Sequence, residues 1–480
     1  MENPWKMNRR RWIAATAGGL MYSGLRLKGN PLNSLLEKPG ASSFGPDFTW
    51  GTATAAFQVE GATTADGKIP SIWDTFTARK KSIKDGSNAT EACDFYHRYP
   101  KDLELARQIG GGAFRFSLAW TRIINADGSI NQKGADHYSR LTDNCLSLGI
   151  EPWVTLYHWD LPQHLQDVGG WKNRSIVGHF TRYAEVCGTL LGDRVKNWMV
   201  LNEPLSFTSL GYLLGMHAPG KKGLASFLPA VHHAALCQAD GARALRQTVQ
   251  HANIGTCFSC SPVDPFRETE KDRAAAIRVD ALVNRLFIEP ALGMGYPVET
   301  LPVLTRMEKY FKKDDAERLA FDFDFVGLQN YFRLVCRHNA LVPHIAASEV
   351  PATERTVPVN EMGFEINPEG MGRMIHKFDA YPGVRNVIVT ENGVCVPDTV
   401  ENGRVKDVAR IAYLETYLAA ILKAKKNGAK VNGYFAWSLL DNFEWAEGYR
   451  PRFGLVHVNY QTQERIIKDS GYWFRDFLKR

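Results

Sequence analysis

From residue 43 onward, short apolar runs alternate with longer stretches in which apolar residues recur every three or four positions. The runs are FTWGTATAA (48–56), AFRFSLAW (113–120), EPWVTLY (151–157), NWMVLNE (197–203), NIGTCFS (253–259), FDFVGLQNY (323–331), NVIVTENG (386–393) and NGYFAWSLL (432–440). Rich in β-branched and aromatic residues, they read as strands. Between them lie helical stripes. Phe95, Leu103, Ala106 and Ile109 mark one over 94–109. Ile176, Phe180, Tyr183, Ala184, Cys187 and Leu191 mark another over 175–191, and Ile411, Leu414, Leu418, Ile421 and Leu422 a third over 409–424. Gly110, Gly149 and Gly428 follow such stripes and precede strands, as expected of residues that end helices in the left-handed conformation. Eight β–α units in series, with no linker between them, predict an α/β fold: a single (β/α)8 TIM barrel over 44–480. A doubly wound open sheet competes, but no GxGxxG joins a strand to a helix to support a nucleotide site. The polar stretch 333–360 interrupts the alternation after the sixth strand, where a barrel carries functional loops.

Composition narrows the class. Of 480 residues, 44% are hydrophobic and 23% charged, an ordinary globular balance that supports a large core. The net charge of +7 is mild, and no basic stripe is interleaved with aromatics, which argues against nucleic acid as a partner. Part of the charge sits in the first 30 residues, where Arg9, Arg10 and Arg11 precede Trp12, Ile13 and a short, moderately apolar stretch. This resembles a twin-arginine export signal, so residues 1–43 read as an N-terminal extension directing the protein to the periplasm or outside. A basic tail on a cytoplasmic protein is the alternative, since no clear A-x-A cleavage site follows. Eight cysteines are scattered; only Cys257 and Cys260 are closely spaced. A lone CxxC is weak for zinc, and buried thiols are expected.

The ends of the strands carry the candidate chemistry, because side chains there converge on one mouth of a barrel. The fourth strand ends in Asn202-Glu203 and the seventh in Glu391-Asn392-Gly393. The third runs into His158-Trp159-Asp160, the first into Gln58 and Glu60, and the eighth into Trp437, with Glu444 and Trp445 just beyond. Acids, amides, one imidazole and indoles sharing a cleft suit a sugar: bidentate partners for hydroxyls and flat faces for its C–H side. A single glutamate at a strand end is more often a rim salt bridge. Two, each beside an asparagine, point to a carboxylate pair that cleaves a glycosidic bond. Pro204 lacks an N–H and stops the strand directly after Glu203.

VLNEP, VTENG, FQVEG, YHWDLP, RFSLAW and WSLLDNFEW resemble the signatures of glycoside hydrolase family 1, the retaining β-glucosidases. GYLLGMHAPG (211–220), LFIEPALGMGYP (286–297) and RFGLVHVNY (452–460) extend the match, which runs from about Phe44 to the C-terminus. The resemblance implies a (β/α)8 barrel and a retaining, exo-acting β-glucosidase that needs no cofactor or metal. Its partners would be small β-glucosides or short oligosaccharides. Glu391 would be the nucleophile and Glu203 the acid that later serves as base. Arg115 and Tyr331 would keep the nucleophile charged and oriented. Gln58, His158, Asn202, Glu444 and Trp445 would hold the sugar hydroxyls, with Tyr331 adjoining, and Trp437 would be the stacking platform.

Three departures from the pattern stand out. Gln329 replaces the usual asparagine, with Asn330 and Tyr331 after it; Val200-Leu201 precede the NEP motif; and segment 333–360 is unfamiliar, which assigns it the outer, aglycone-binding subsites. Relatives that take 6-phosphosugars carry Ser, Lys and Tyr where this chain has Glu444, Pro451 and Phe453, so a free 6-hydroxyl is favoured. Gln58 and Trp445 suit an equatorial or an axial 4-hydroxyl, which adds β-galactosides and β-fucosides to the expected range. A catalytically inactive sugar binder and a transglycosylase are the rival functions. The first typically lacks one of the two acids.

Overall fold

The computed structural model describes residues 39–480. Eight parallel strands close a barrel: β1 (Thr49–Ala53), β2 (Ala113–Ser117), β3 (Glu151–Tyr157), β4 (Asn197–Asn202), β5 (Asn253–Ser259), β6 (Phe325–Gln329), β7 (Val387–Asn392) and β8 (Val431–Trp437). Each neighbours the next, and β1 closes on β8 in the register Thr49↔Gly433 to Ala53↔Trp437. All eight expected runs are strands, most of them one to three residues shorter at an end than the apolar runs.

A helix follows every strand: α1 (Phe95–Ile109), α2 (Gln132–Ser147), α3 (Ser175–Leu191), α4 (Leu224–Thr248), α5 (Glu270–Asp280), α6 (Pro368–Asp379), α7 (Val408–Lys426) and α8 (Asp469–Leu478). Apart from α5, which lies against short strands outside the barrel, their apolar stripes pack around it, so the strands are buried on both faces, as parallel strands require. Gly110, Gly149 and Gly428 adopt φ of 92°, 70° and 95°, ending helices as the sequence predicts. Inside the barrel, Phe325 and Phe435 fill the lower layer over Gly255 and Gly51. A Cβ at either glycine would lie 2.4–2.5 Å from a phenyl ring, so only glycine fits.

The expectation for 333–360 needs correction. It is not a plain loop. Leu334–His338 and Ala347–Glu349 form a three-stranded sheet with Val263–Pro265 after β5. Arg333 and Arg373 anchor this sheet on Asp264 at 2.6 and 2.7 Å.

The loop after β8 is fixed from the other end of the chain. Lys468, fully buried just before α8, places its Nζ on Asp398 and, at 2.6 Å, on Asp441. Arg452 reaches Asp441 at 2.7 Å, and Arg410 pairs with Asp407. Asp398, Asp441 and His457 could together hold a metal by spacing, but Lys468 and Arg452 already occupy their carboxylates.

All eight cysteines are buried and unbridged, including Cys257 and Cys260. Among the described residues, no helix is long and apolar enough to cross a membrane. The expected export signal lies outside the described residues. The first ones described, around Ser42, pair with the C-terminal carbonyl of Arg480.

Candidate active site

At the C-terminal mouth of the strands lies a cavity of about 120 Å³, lined by Glu203, Glu391, Gln58, His158, Asn202, Tyr331, Trp437, Glu444 and Trp445. Arg115 stands behind its wall, fully buried on β2. Three strand-end residues expected to share the cleft do not line it: Glu60 pairs with Arg122 and lies with Asp160 in a separate recess, and the Asn392 amide donates to the Asn330 carbonyl and the Tyr413 hydroxyl.

Glu203 sits just past β4. Its N–H donates to the Cys257 carbonyl at 2.9 Å, and its backbone then turns left-handed (φ 46°, ψ 65°). Pro204 opens a short helix, Pro204–Thr208, where its missing N–H costs nothing. The turn aims the carboxyl inward, and a non-glycine residue held at positive φ marks a position where strain serves a site. Burial, then the nearby charge of Glu391, pushes the Glu203 carboxyl up to about 8, against the hydroxyls of Ser206 and Ser259 and the charge of Arg115. At neutral pH Glu203 is therefore a protonated acid.

Glu391, on β7, has different neighbours. Arg115 Nη1 meets its Oε1, Gln329 Nε2 donates to the same oxygen at 2.9 Å, and the Tyr331 hydroxyl donates to Oε2 at 2.9 Å. Burial raises its pKa from the ordinary value, while Arg115 and Tyr331 act in the opposite direction. Each of these three groups donates, so the arrangement is built to hold an anion.

The remaining polar groups form one connected wall. Arg115 Nη2 and Gln329 Nε2 donate to Asn202 Oδ1 at 2.6 and 2.7 Å. The Asn202 amide is 3.0 Å from His158 Nε2. Burial and the charge of Arg115 hold His158 well below its usual pKa, so the ring is neutral. Nε2 then accepts from Asn202, and the proton lies on Nδ1, which has no protein partner. Gln58 donates to Asn442 Oδ1 and the Phe443 carbonyl, both at 2.9 Å, and its buried Oε1 is unpartnered. A donor on His158 and an acceptor on Gln58 thus face the cavity, fixed and unused, as a hydroxyl-bearing ligand requires. Trp437 and Trp445 lie near the His158 ring with interplanar angles of 23° and 21°, which gives the wall its flat faces.

Glu444 shares the cavity with Glu391, Glu203 and Glu447. Burial and these neighbours push it up to about 8. Among the described residues, no lysine or arginine lines the cavity.

Several lining residues were not singled out from sequence: Ser206, Leu210, His217, Ser259, Phe332, Met362, Phe364 and Glu447. Two signals were available. Ser206 and Leu210 follow Glu203 at +3 and +7, one helical face, and Ser259 ends β5 as Glu203 follows β4. Met362 and Phe364 lie beyond 333–360, and no residue of that segment lines the cavity, which corrects the role expected of it.

The sequence pattern of the family described as "Glycosyl hydrolase family 1" matches residues 41–480. "Beta-glucosidase A" of Acetivibrio thermocellus is 41% identical over 443 residues, covering 91% of this chain and 98% of the relative. "Beta-glucosidase A" of Thermotoga maritima is 41% identical over 439 residues with the same coverages. The solved family 1 β-glucosidase of Thermotoga maritima superposes with a TM-score of 0.87 at 41% identity, over 90% of this chain and 98% of that one. A Thermotoga maritima family 1 glycoside hydrolase complexed with a cyclophellitol analogue, a transition-state mimic, also gives a TM-score of 0.87 at 41% identity, over 92% of this chain and 98% of that one. With a closed eight-strand barrel, paired carboxyls at its mouth and similarity along its whole described length, this chain belongs to glycosyl hydrolase family 1.

Proposed function

We propose that the protein is a retaining, exo-acting β-glucosidase in which Glu391 is the nucleophile and Glu203 the acid and base. One observation carries the reading: two glutamates share one buried cavity, both raised by burial, but Glu391 faces Arg115, Gln329 and Tyr331 as donors while Glu203 faces the like charge of Glu391. Glu391 accepts from three donors, whereas Glu203 keeps its proton because it is buried beside a like charge. In the first step Glu391 attacks the anomeric carbon while Glu203 gives its proton to the departing oxygen. A glucosyl ester and a free alcohol result. The ester has no charge, so the repulsion on Glu203 vanishes and its pKa falls. Glu203 can then take a proton from water, which attacks the anomeric carbon and releases Glu391. Two inversions leave the β configuration unchanged.

Gln58, His158, Asn202, Glu444 and Trp445 hold the glucosyl hydroxyls in this reading, and Trp437 lies under the ring. Carboxyls without a lining cation disfavour a phosphorylated sugar. β-Galactosides, which differ at the 4-position, and β-fucosides, which differ at the 4- and 6-positions, enter the same wall.

Proton NMR of phenyl β-D-glucoside turnover tests this. β-Glucose is expected to appear first and to mutarotate later. First appearance of the α-anomer, or no release by folded protein, overturns the reading.

A pH dependence follows from the same pair. Glu203 must be protonated to start the reaction, so kcat/KM is expected to fall as pH rises through about 8. Ser206 and Ser259 favour the anion of Glu203, so Ser259→Ala should move this alkaline limb upward. Glu391→Gln removes the like charge and should lower the Glu203 pKa, read by carbon-13 NMR of the carboxyl. An unmoved titration in that variant would sink the electrostatic coupling.

A further inference from the structure

Two residues beyond Gln58 and His158, on the loops after β1 and β3, Glu60 and Asp160 line a small recess together with Thr63, Lys68 and Ala119. Its volume of about 10 Å³ gives room for one water-sized body. Asp160 is 2% exposed, and neither of its carboxyl oxygens has a protein partner. A carboxylate buried in this way is costly unless something of opposite charge meets it. Burial, then the charge of Glu60, pushes the Asp160 carboxyl up to about 7, against the charge of Lys68.

The charges around the recess leave one unbalanced. Arg122 Nε donates to Glu60 Oε2 and the Tyr138 hydroxyl to Oε1, both at 2.6 Å. Lys68 Nζ donates to Asp74 Oδ2 at 2.7 Å and to the Ile69 carbonyl at 3.5 Å. Glu60 with Arg122 and Lys68 with Asp74 are neutral pairs, so the negative charge of Asp160 remains. One positive charge balances it. A divalent ion would overshoot, and magnesium keeps waters for which the recess has no room. The Glu60 carboxylate, although paired, has lone pairs left for a cation.

We propose that Asp160 and Glu60 hold one dehydrated monovalent cation, sodium or potassium, which ties the β1 loop to the β3 loop. Trp159, between His158 and Asp160, has a φ of 83° and donates through Nε1 to the Asn202 carbonyl at 2.8 Å. Such a backbone persists only where its surroundings hold it. Anchoring Asp160 to Glu60 therefore fixes His158 and Gln58 relative to each other, and with them the donor and the acceptor offered to the sugar. That consequence rests on the glucosidase reading above; the ion site does not.

To test this, the full chain is exchanged into choline chloride and titrated with sodium or potassium chloride at constant ionic strength. With at least one of the two ions the thermal midpoint should rise saturably by about 2 °C or more. Over the same concentrations kcat/KM for 4-nitrophenyl β-D-glucoside should rise about fivefold. Asp160→Asn keeps the shape, removes the charge and should abolish both responses. Should that variant not fold, wild-type crystals soaked in thallium(I), a strongly scattering stand-in for potassium, or in sodium read the site directly, with an ion expected between Asp160 and Glu60. A midpoint and rate indifferent to replacing choline by either ion overturn the proposal. So does an Asp160→Asn variant that responds like wild type, or a recess holding only water after both soaks. If the glucoside is not cleaved but the midpoint still responds and the ion is seen, the hydrolase reading fails and the ion site stands.

Discussion

Glu391→Ala is expected to lose turnover of aryl β-glucosides by at least about 10⁴-fold and to regain much of it with added azide. Without the carboxylate, nothing stands within reach of the anomeric carbon on that face. Azide is small enough for the vacated space and is drawn there by Arg115, which the substitution leaves buried without its carboxylate. It attacks the anomeric carbon as the aryl oxide departs with the bonding electrons. One inversion instead of two makes the product α-glucosyl azide. The same unpaired guanidinium should lower stability by about 3–5 kcal/mol, so the thermal midpoint should drop and azide should recover part of it. NMR identification of the azide adduct and a melting curve check both halves. Activity within tenfold of wild type, with no adduct, would remove Glu391 from the reaction.

Glu203→Ala should fail in the complementary way. Loss of general acid catalysis costs about 10²–10⁴-fold for substrates whose alcohol needs a proton to leave. A dinitrophenyl leaving group needs none, so the first step survives with 2,4-dinitrophenyl β-D-glucoside. The second step then stalls, because no base activates water. A covalent glucosyl adduct on Glu391 should accumulate and be visible by mass spectrometry of intact protein and of its peptides. Azide, which needs no base, should release that adduct as β-glucosyl azide. The two variants thus give opposite anomers of one product, which separates the roles more sharply than any loss of rate. If Glu203→Ala slowed dinitrophenyl and methyl glucosides equally and formed no adduct, the acid/base assignment would fail.

The barrel was legible because its strands are covered on both faces, which leaves long apolar runs separated by helical stripes. The two acids were legible because each ends such a run beside an asparagine. The small sheet within 333–360 was hidden: strands of three to five residues, such as Leu334–His338, are too short to display an alternating pattern. Gln329 was visible as an unusual residue, but its role was not. Only the fold shows its amide spanning Asn202 and Glu391 at 2.7 and 2.9 Å. The pairing of Phe332 with Phe364 on the cavity wall was also hidden, since they lie 32 positions apart and nothing in their local sequence says that they meet. The wrong assignment of 333–360 to the aglycone has the same origin. The segment was placed correctly after the sixth strand, but which of its neighbours face inward depends on how it folds back on Val263–Pro265.

Lys468 has a consequence for anyone engineering this protein. Its ammonium is wedged between Asp398 and Asp441, and Asp441 lies three residues before Glu444. Clipping the chain ahead of Lys468 would leave Asp398 and Asp441 with Arg410 and Arg452 alone, at the base of the segment proposed to hold the sugar. A truncated enzyme would then suffer in glucose recognition rather than in bond cleavage, and handles for immobilisation belong on another surface.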